Sequence, residues 1–179
     1  MKATGIVRRI DDLGRVVIPK EIRRTMRIRE GDPLEIYTES GGEIVFKKYS
    51  PIGELSSFAS QYAEVLHKTT GIPAVICDRE HAIAAAGVPK KEILERRVST
   101  ELEDYMNSRK IFTADSDEKS LQPLEGVERT GLVCAPIISS GDLSGAVIFL
   151  ADENTQESDS TQIKLAQAAA LFLGKQIES

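Results

Sequence analysis

The fold is decided by the stretch LGRVVIPKEIRRTMR, residues 13–27. Gly14 marks a turn, and the apolar residues 16–18 that follow it predict a buried strand. Pro19 then opens a short helix at its first position, where the missing N–H of proline costs nothing. The stretch therefore predicts a turn, a strand and a helix in immediate succession.

The predicted helix carries its cations at the spacing i, i+3, i+4 and i+7, which places them on one face. Ile22 and Met26 point the other way. A solvated charged face is the alternative interpretation, but a stripe that stabilises a helix normally interleaves acids with bases. Here Glu21 and Glu30 are the nearby acids, so the pattern favours a face that binds an anion. The four cations are Lys20, Arg23, Arg24 and Arg27.

Charge is distributed unevenly along the chain. The net charge is −5, yet residues 1–29 hold nine Lys or Arg against three Asp or Glu, a balance of +6. Residues 51–179 hold 12 basic and 20 acidic residues, a balance of −8. A basic N-terminal segment on an acidic remainder predicts that a polyanion binds at the N-terminal segment only.

The composition is that of a globular protein, with 28% charged and 41% hydrophobic residues among 179. The sequence contains neither 18 consecutive apolar residues nor an apolar signal core at its start, so we expect a cytoplasmic, nucleoid-associated protein that does not enter a membrane. Cys77 and Cys134 each lie in an apolar run, which predicts free core thiols in a reducing compartment.

Residues 1–50, called the head below, predict two strands at 4–10 and 15–18, the short helix, and two more strands at 34–38 and 43–47. Such a small unit buries little apolar surface by itself. It contains no metal motif or disulfide in compensation, so we expect two chains to interleave their strands around one shared core. The dimer would present eight guanidinium groups, two copies each of Arg8, Arg15, Arg23 and Arg24.

Four motifs of the head, GIVR at 5–8, LGRVVIP at 13–19, RR at 23–24 and GDPLEI at 31–36, resemble the AbrB-type swapped-hairpin DNA-binding domain. The resemblance implies an intertwined homodimeric β-barrel that binds double-stranded DNA. It also implies that the DNA-binding residues are Arg8, Arg15, Arg23 and Arg24. The charge pattern adds four weaker candidates, Lys2, Arg9, Lys20 and Arg27.

Residues 54–179, called the body below, predict a mixed α and β unit that makes the whole chain α+β. Ser50 and Pro51 suit a helix start, and an apolar face from Leu55 to Leu66 indicates a helix. We predict strands at 74–77 and 82–86, a helix at 88–98 and another helix capped by Thr100 with Glu103. A strand at 111–113, a polar loop at 115–128, a hairpin of strands at 132–138 and 146–150, and a helix capped by Asp159 with Gln162 complete the order.

This order and the hairpin at 132–149 resemble a GAF domain, an antiparallel sheet flanked by helices that senses a signal or drives assembly. The resemblance implies a small-molecule pocket lined by Cys77, Ala85, Met106, Thr113 and Cys134. His67 and His81 have no ligand partner at metal spacing, so we expect no metal and no cofactor. The apolar faces of the helices at 54–69 and 159–177 either cover the sheet or pair with a second body, which would make a tetramer.

Over its full length the chain resembles a family of transcription regulators of spore formation. We therefore expect a sequence-tolerant DNA-binding activator or repressor of sporulation genes, with a body that senses a small signal or drives assembly. The alternative is an antitoxin that binds DNA through the head and a toxin through the body. An enzyme is not expected, since the sequence contains no Ser-His-Asp constellation, glycine-rich phosphate loop or His-Glu-x-x-His motif.

Overall fold

The computed structural model describes residues 3–115 and 120–179. The chain divides into two compact units, Met1–Tyr49 and Ser50–Ser179, and from here on head and body refer to these two units. The predicted loop at 115–128 is therefore described in part, and Lys2 lies outside the described residues.

The head contains one helix and one β-hairpin. Helix α1 spans Lys20–Thr25, and strands β1 (Leu34–Thr38) and β2 (Ile44–Lys48) pair in an antiparallel register that sets Ile36 opposite Phe46. Pro19 is the residue before α1 rather than its first residue, a difference of one position. The predicted helix and the last two predicted strands of the head are thus present.

The two strands predicted at 4–10 and 15–18 are absent from the described chain, and that prediction is wrong for a single copy. A turn at residues 12–14 joins the two segments, closed by hydrogen bonds from Asp11 N to Arg15 O (3.0 Å) and from Gly14 N to Asp11 O (3.1 Å). A strand exists only where a neighbouring strand accepts and donates its backbone hydrogen bonds. The rest of the described head supplies no such neighbour to these two segments.

The head buries almost none of its apolar side chains. Of residues 3–49, Pro19 alone is buried. Side chains that patterning assigns to a core are open instead, as with Val17, which is 70% exposed. The exposed large apolar residues of the head are Ile6, Val7, Ile10, Leu13, Val16, Val17, Met26, Ile36, Tyr37, Ile44, Phe46 and Tyr49.

The body is built on a five-stranded antiparallel sheet in the order β4-β3-β7-β6-β5. The strands are β3 (Ala74–Asp78), β4 (Ala82–Ala86), β5 (Phe112–Thr113), β6 (Gly131–Ser139) and β7 (Asp142–Leu150). The helices are α2 (Pro51–Glu54), α3 (Ser56–Thr70), α4 (Lys90–Ile93), α5 (Thr100–Asn107) and α6 (Ser160–Ile177).

Each face of the sheet carries its own apolar cluster, because successive side chains of a strand point to opposite faces. On β7, Val147 and Phe149 join the cluster that α3 and α6 cover. Ala146, Ile148 and Leu150 join the cluster on the face of α4 and α5. The body is therefore a helix-sheet-helix sandwich with two cores.

Two helix starts of the body agree with their sequence signals. Ser50 Oγ accepts a hydrogen bond from Gly53 N (3.1 Å) at the start of α2. At α6, Gln162 N donates to Asp159 Oδ1 (2.8 Å) while Asp159 N donates to Gln162 Oε1 (2.9 Å), which completes the predicted capping box.

Two other predictions for the body need correction. The cap of α5 is Ser99, whose Oγ accepts from Leu102 N (3.1 Å), one residue before the predicted Thr100. The helix predicted over 88–98 is limited to α4 because Glu95 adopts a positive φ of 64° and its N–H bonds to Ala82 O (3.0 Å). Pairing with β4 therefore replaces the rest of that helix.

Helix α6 lies unusually close to β6 at Gly174. A Cβ atom at this position would lie 2.2 Å from the carbonyl oxygen of Ile138, a contact that backbone atoms cannot accommodate. The absence of a side chain here therefore allows the close packing of α6 on the sheet.

Candidate nucleic-acid interface

Helix α1 holds three of the predicted DNA-binding cations on its exposed surface. Lys20, Arg23 and Arg24 are exposed, whereas Ile22 is half-buried. The helix is fixed at its start by Arg23 N bonding to Pro19 O (2.9 Å) and at its end by Met26 N bonding to Ile22 O (2.8 Å). The short helix thus presents a cationic face, as its spacing predicts.

Arg27 does not belong to that face, and its placement on the helix was wrong. The helix ends at Thr25, and Arg27 adopts a left-handed φ of 50°. Arg27 is half-buried, and its carbonyl oxygen accepts a hydrogen bond from Lys48 Nζ (2.6 Å). The i+7 position exists only on a helix of more than seven residues, and this one has six.

The turn before Val16 positions Arg15 through a single carboxylate. Asp11 Oδ1 accepts from Leu13 N (3.0 Å) and Arg15 N (2.8 Å), while Asp11 Oδ2 accepts from Arg15 Nε (2.8 Å). The backbone N–H and the guanidinium of Arg15, followed by the N–H of Leu13, lower the pKa of Asp11 below its ordinary value of 3.8. The acid is therefore ionised beside Arg15 at neutral pH.

Sequence reasoning did not single out Asp11. The available signal was an Asp placed two residues before Leu13-Gly14 and four before an Arg, the arrangement of an Asx-turn that also forms an ion pair. Arg8 and Arg9 lie on the exposed segment before this turn. The turn and α1 thus expose Arg8, Arg9, Arg15, Lys20, Arg23 and Arg24, while Lys2 lies outside the described residues.

Four of the five predicted pocket residues of the body lie on the sheet face of α4 and α5. Cys77, Ala85, Met106 and Cys134 are all buried in one apolar cluster. Thr113 is half-buried on β5, paired with Val133 of β6. Four of the five residues therefore pack together. Directly paired residues of a ladder point to the same face, and Val133 belongs to the cluster under α3 and α6, so Thr113 lies on the opposite face.

The two thiols are protected rather than reactive. Burial raises the pKa of Cys77 far above its ordinary value, and Cys77 Sγ lies 3.7 Å from Ala146 O. Burial likewise raises the pKa of Cys134. Thiolate is the nucleophilic and metal-binding form, so neither group is activated at neutral pH.

The histidines have structural surroundings. His67 Nδ1 lies 2.9 Å from Ile72 O at the end of α3. The backbone of His81 forms an isolated antiparallel β-bridge with that of Arg97. Within residues 3–115 and 120–179, no three His, Cys, Asp or Glu side chains gather as a metal would require. The helices of the same ranges include none with the length and apolar content needed to cross a membrane.

Aromatic side chains meet on the outer surface of the pair α3 and α6. Phe172 of α6 stacks with Tyr62 of α3 at 5.4 Å between ring centroids and contacts Phe58 at 5.9 Å. Beside them Val65 is 54% exposed and Leu171 is 66% exposed. Partial burial raises the pKa of Tyr62.

Comparison with known families divides the chain at residue 54, five residues after the first structural unit ends at Tyr49. Residues 54–178 match the family model described as stage V sporulation protein T C-terminal, transcription factor. Residues 7–54 match the model described as antidote-toxin recognition MazE, bacterial antitoxin.

Two relatives from Bacillus subtilis extend this comparison. Stage V sporulation protein T is 48% identical over 180 residues, which cover 99% of each chain. The transition state regulatory protein AbrB is 61% identical over 51 residues, which cover 28% of this chain and 52% of AbrB. The similarity to AbrB is therefore confined to the head.

A solved structure shares the fold of the body. The GAF domain of an Acinetobacter phosphoenolpyruvate-protein phosphotransferase superposes with a TM-score of 0.52 at 9% identity, over 69% of this chain and 81% of that domain. At this identity the similarity concerns the fold, which agrees with the predicted GAF-like architecture.

Proposed function

The chain belongs to the stage V sporulation protein T family of transcription factors, and on this basis we propose that it regulates sporulation genes by binding double-stranded DNA through its head. The observation that carries the proposal is the coincidence, in one small unit, of an exposed cationic surface and an exposed apolar one. The first suits a polyanion, and the second suits a second copy of the chain.

The dimer follows from the unpaired segments of the head. Twelve large apolar side chains are open to water in one copy, and residues 4–10 and 15–18 are without strand partners in the described chain. Exposed apolar area of this kind favours association by roughly 25 cal/mol per Å² removed from water. Exchange of these segments between two chains would satisfy the backbone hydrogen bonds and bury the apolar side chains together.

The cations of the dimer would act mainly on phosphates. Arginine forms paired hydrogen bonds with phosphate oxygens, and such contacts hold the duplex without reading its sequence. Recognition would then be tolerant of sequence and aided by DNA shape. If about eight phosphates are neutralised per dimer, log K falls with log[salt] at a slope of about −7.

A double variant tests this surface directly. Arg15→Ala with Arg23→Ala removes four guanidinium groups per dimer, so we expect the salt slope to fall to about −4 together with a large loss of affinity. The matched control is Lys91→Ala with Lys110→Ala, which removes two exposed cations from the body. Fluorescence anisotropy on one duplex at several salt concentrations measures both slopes. An unchanged slope in the arginine variant would remove Arg15 and Arg23 from the DNA interface.

The body would add assembly or sensing. The aromatic cluster of α3 and α6, in which Phe58 and Tyr62 are half-buried and Phe172 is exposed, would let this helix pair pack against a second pair as a four-helix bundle. Head dimers would thereby join into tetramers. Native mass spectrometry of Phe172→Glu should then give dimers where the wild type gives tetramers.

A ligand would bind on the opposite face of the sheet, near Cys77, Ala85, Met106 and Cys134. Native mass spectrometry of the purified chain would detect a co-purified small molecule together with the subunit count. Isothermal titration after its removal would then measure rebinding. A body that carries no ligand and binds none would leave assembly as its role.

The direction of regulation and the cellular location follow from the same proposal. We place the protein in the cytoplasm on the nucleoid, because its ligand is DNA. Transcript levels of sporulation genes in cells that lack the protein distinguish activation from repression at each promoter. Loss of transcripts marks activation, and their gain marks repression.

The antitoxin alternative is weaker, because the antitoxin model matches residues 7–54 whereas a transcription-factor model matches residues 54–178. Toxin-binding tails are extended, and an extended tail is cleaved rapidly by proteases. Limited proteolysis therefore discriminates between the two functions. A stable fragment corresponding to Ser50–Ser179 supports the regulator, and digestion down to the head would support the antitoxin.

A further inference from the structure

The arginines of the head differ in their partners. Arg15 Nε donates to Asp11 Oδ2 at 2.8 Å, although the Arg15 side chain is 70% exposed. Arg23 and Arg24 are exposed on α1, and the described residues form no hydrogen bond or ion pair with their guanidinium groups. The head thus exposes two kinds of cation, and one of them, Arg15, already has a carboxylate partner.

The ion pair is not needed to form the turn. Asp11 Oδ1 already accepts from the backbone N–H groups of Leu13 and Arg15, and the turn is closed further by Asp11 N bonding to Arg15 O (3.0 Å). An exposed pair of this type contributes little to folding stability. The second carboxylate oxygen therefore has its main effect on the direction and electrostatics of the Arg15 side chain.

The carboxylate changes which DNA group Arg15 prefers. A phosphate brought to the guanidinium also approaches the negative charge of Asp11, and like charges repel. The O6 and N7 atoms of guanine are neutral acceptors, and a guanidinium can bind both at once. Because Asp11 occupies Nε, the two terminal Nη groups remain to form this pair of bonds.

We propose that Asp11 is a positioning residue that directs Arg15 to a guanine edge, while Arg23 and Arg24 bind phosphates. The inference rests on the proposed DNA-binding function of the head and adds a specificity element to it. Recognition would then combine phosphate contacts that tolerate many sequences with one base-reading arginine from each chain of the dimer.

The test compares two duplexes that differ only in the base edge. The first is guanine-rich, and in the second every guanine is replaced by 7-deazaguanine, which lacks the N7 acceptor and leaves every phosphate in place. We expect the full-length wild type to bind the second duplex about tenfold more weakly, as the loss of one base-edge acceptor implies.

Asp11→Asn is the decisive variant, because its amide oxygen can still accept from Leu13 N and Arg15 N while its NH₂ group cannot accept from Arg15 Nε. We expect it to bind the 7-deazaguanine duplex more tightly than the wild type does, so that the tenfold ratio falls to about twofold. Asp12→Asn is the matched control. It removes the neighbouring exposed acid and should leave the ratio unchanged.

Arg15→Lys provides a second test, because lysine keeps the charge but loses the planar guanidinium, which Asp11 can hold at Nε while both Nη groups face the base. It should also lower the ratio while keeping the salt slope. A wild-type ratio in Asp11→Asn, or an equal loss of binding to both duplexes, would overturn the inference.

Arg15→Ala separates the inference from the function on which it rests. An equal loss on both duplexes would leave the DNA-binding head intact as a proposal but would make Arg15 a phosphate contact, and so overturn the role of Asp11. No loss on either duplex would remove Arg15 from the interface and overturn the inference, while the function of the head would still be tested by the double variant of Arg15 and Arg23. The expected result is a loss that is larger on the guanine duplex.

Discussion

The head and the body of this protein solve the problem of burying apolar residues in different ways. The body has a buried core on each face of its sheet, and all the buried apolar side chains among the described non-proline residues lie between Ile52 and Leu173. The head has comparable apolar patterning but leaves its side chains open. A single chain therefore contains one unit that is complete and one that requires a second copy.

The comparison also links incompleteness with function. In the body, the charged groups are spread over a surface that the core supports. In the head, the cations of α1 and of the turn lie within a few residues of the open apolar segments at 4–10 and 15–18. Assembly of the head and formation of the DNA-binding surface would consequently be one event.

The largest expected effect comes from breaking the head. Ile36→Glu places a charge at a side chain that is 61% exposed in one copy and lies opposite Phe46 on the hairpin. If this side is buried between two chains, both copies lose about 2 kcal/mol or more of apolar burial, and DNA affinity falls at least about 100-fold.

The thermal unfolding of the body should remain unchanged in this variant. Lys47→Gln on the neighbouring strand is the control, because Lys47 pairs with Glu35 on the opposite side of the same hairpin. Analytical ultracentrifugation measures the loss of the dimer, and fluorescence anisotropy measures the loss of DNA affinity. A variant that stays dimeric with wild-type DNA binding would contradict the shared core.

A moderate effect is expected from the reverse experiment, which breaks the body alone. Gly174→Ala forces a methyl group against Ile138 O, and overpacking of this kind costs about 1–3 kcal/mol. Calorimetry should show a lower Tm for the body transition and an unchanged head. Gly41→Ala, where a Cβ meets nothing within 4 Å, should leave the body Tm as it is. Equal shifts in both variants would argue against the close contact of α6 with β6.

The smallest expected effect is a change in the pH dependence of unfolding, which should appear in the head and not in the body. The folded-state pKa of Asp11 lies below its ordinary value of 3.8, so the ionised carboxylate stabilises the head above that value. The stabilisation is lost as pH falls through the depressed pKa, because protonation removes the negative charge that the backbone N–H and the guanidinium of Arg15 stabilise. Asp11→Asn should therefore flatten the acid side of the head's unfolding profile and leave that of the body unaltered. A profile identical to wild type would show that the pair is not formed in solution.

Local sequence signals predicted much of the body. The capping box of Asp159 and Gln162 and the helix start at Ser50 depend on neighbouring residues, and both are present. The helix predicted over 88–98 ends early because of a contact between residues distant in sequence. Glu95 leaves the helix to pair with Ala82, which is distant in sequence, and residue propensity does not contain that contact.

The head shows the complementary limit. Its arginines were found from spacing and from resemblance, yet the strands at 4–10 and 15–18 do not form in one chain, because pairing partners cannot be read from a strand's own residues. Arg27 was misplaced since α1 ends at Thr25. Asp11 was overlooked because its role lies in one side-chain contact with Arg15 rather than in a recurring pattern.

The pairing of β3 with β7 determines when the body can fold during synthesis. Ala74 pairs with Phe149, so the centre of the sheet closes only when most of the body has left the ribosome, and α6 follows last. The head emerges first and meets no such delay. We therefore expect the heads of two nascent chains on one messenger to pair before either body folds, so that partners are chosen during translation.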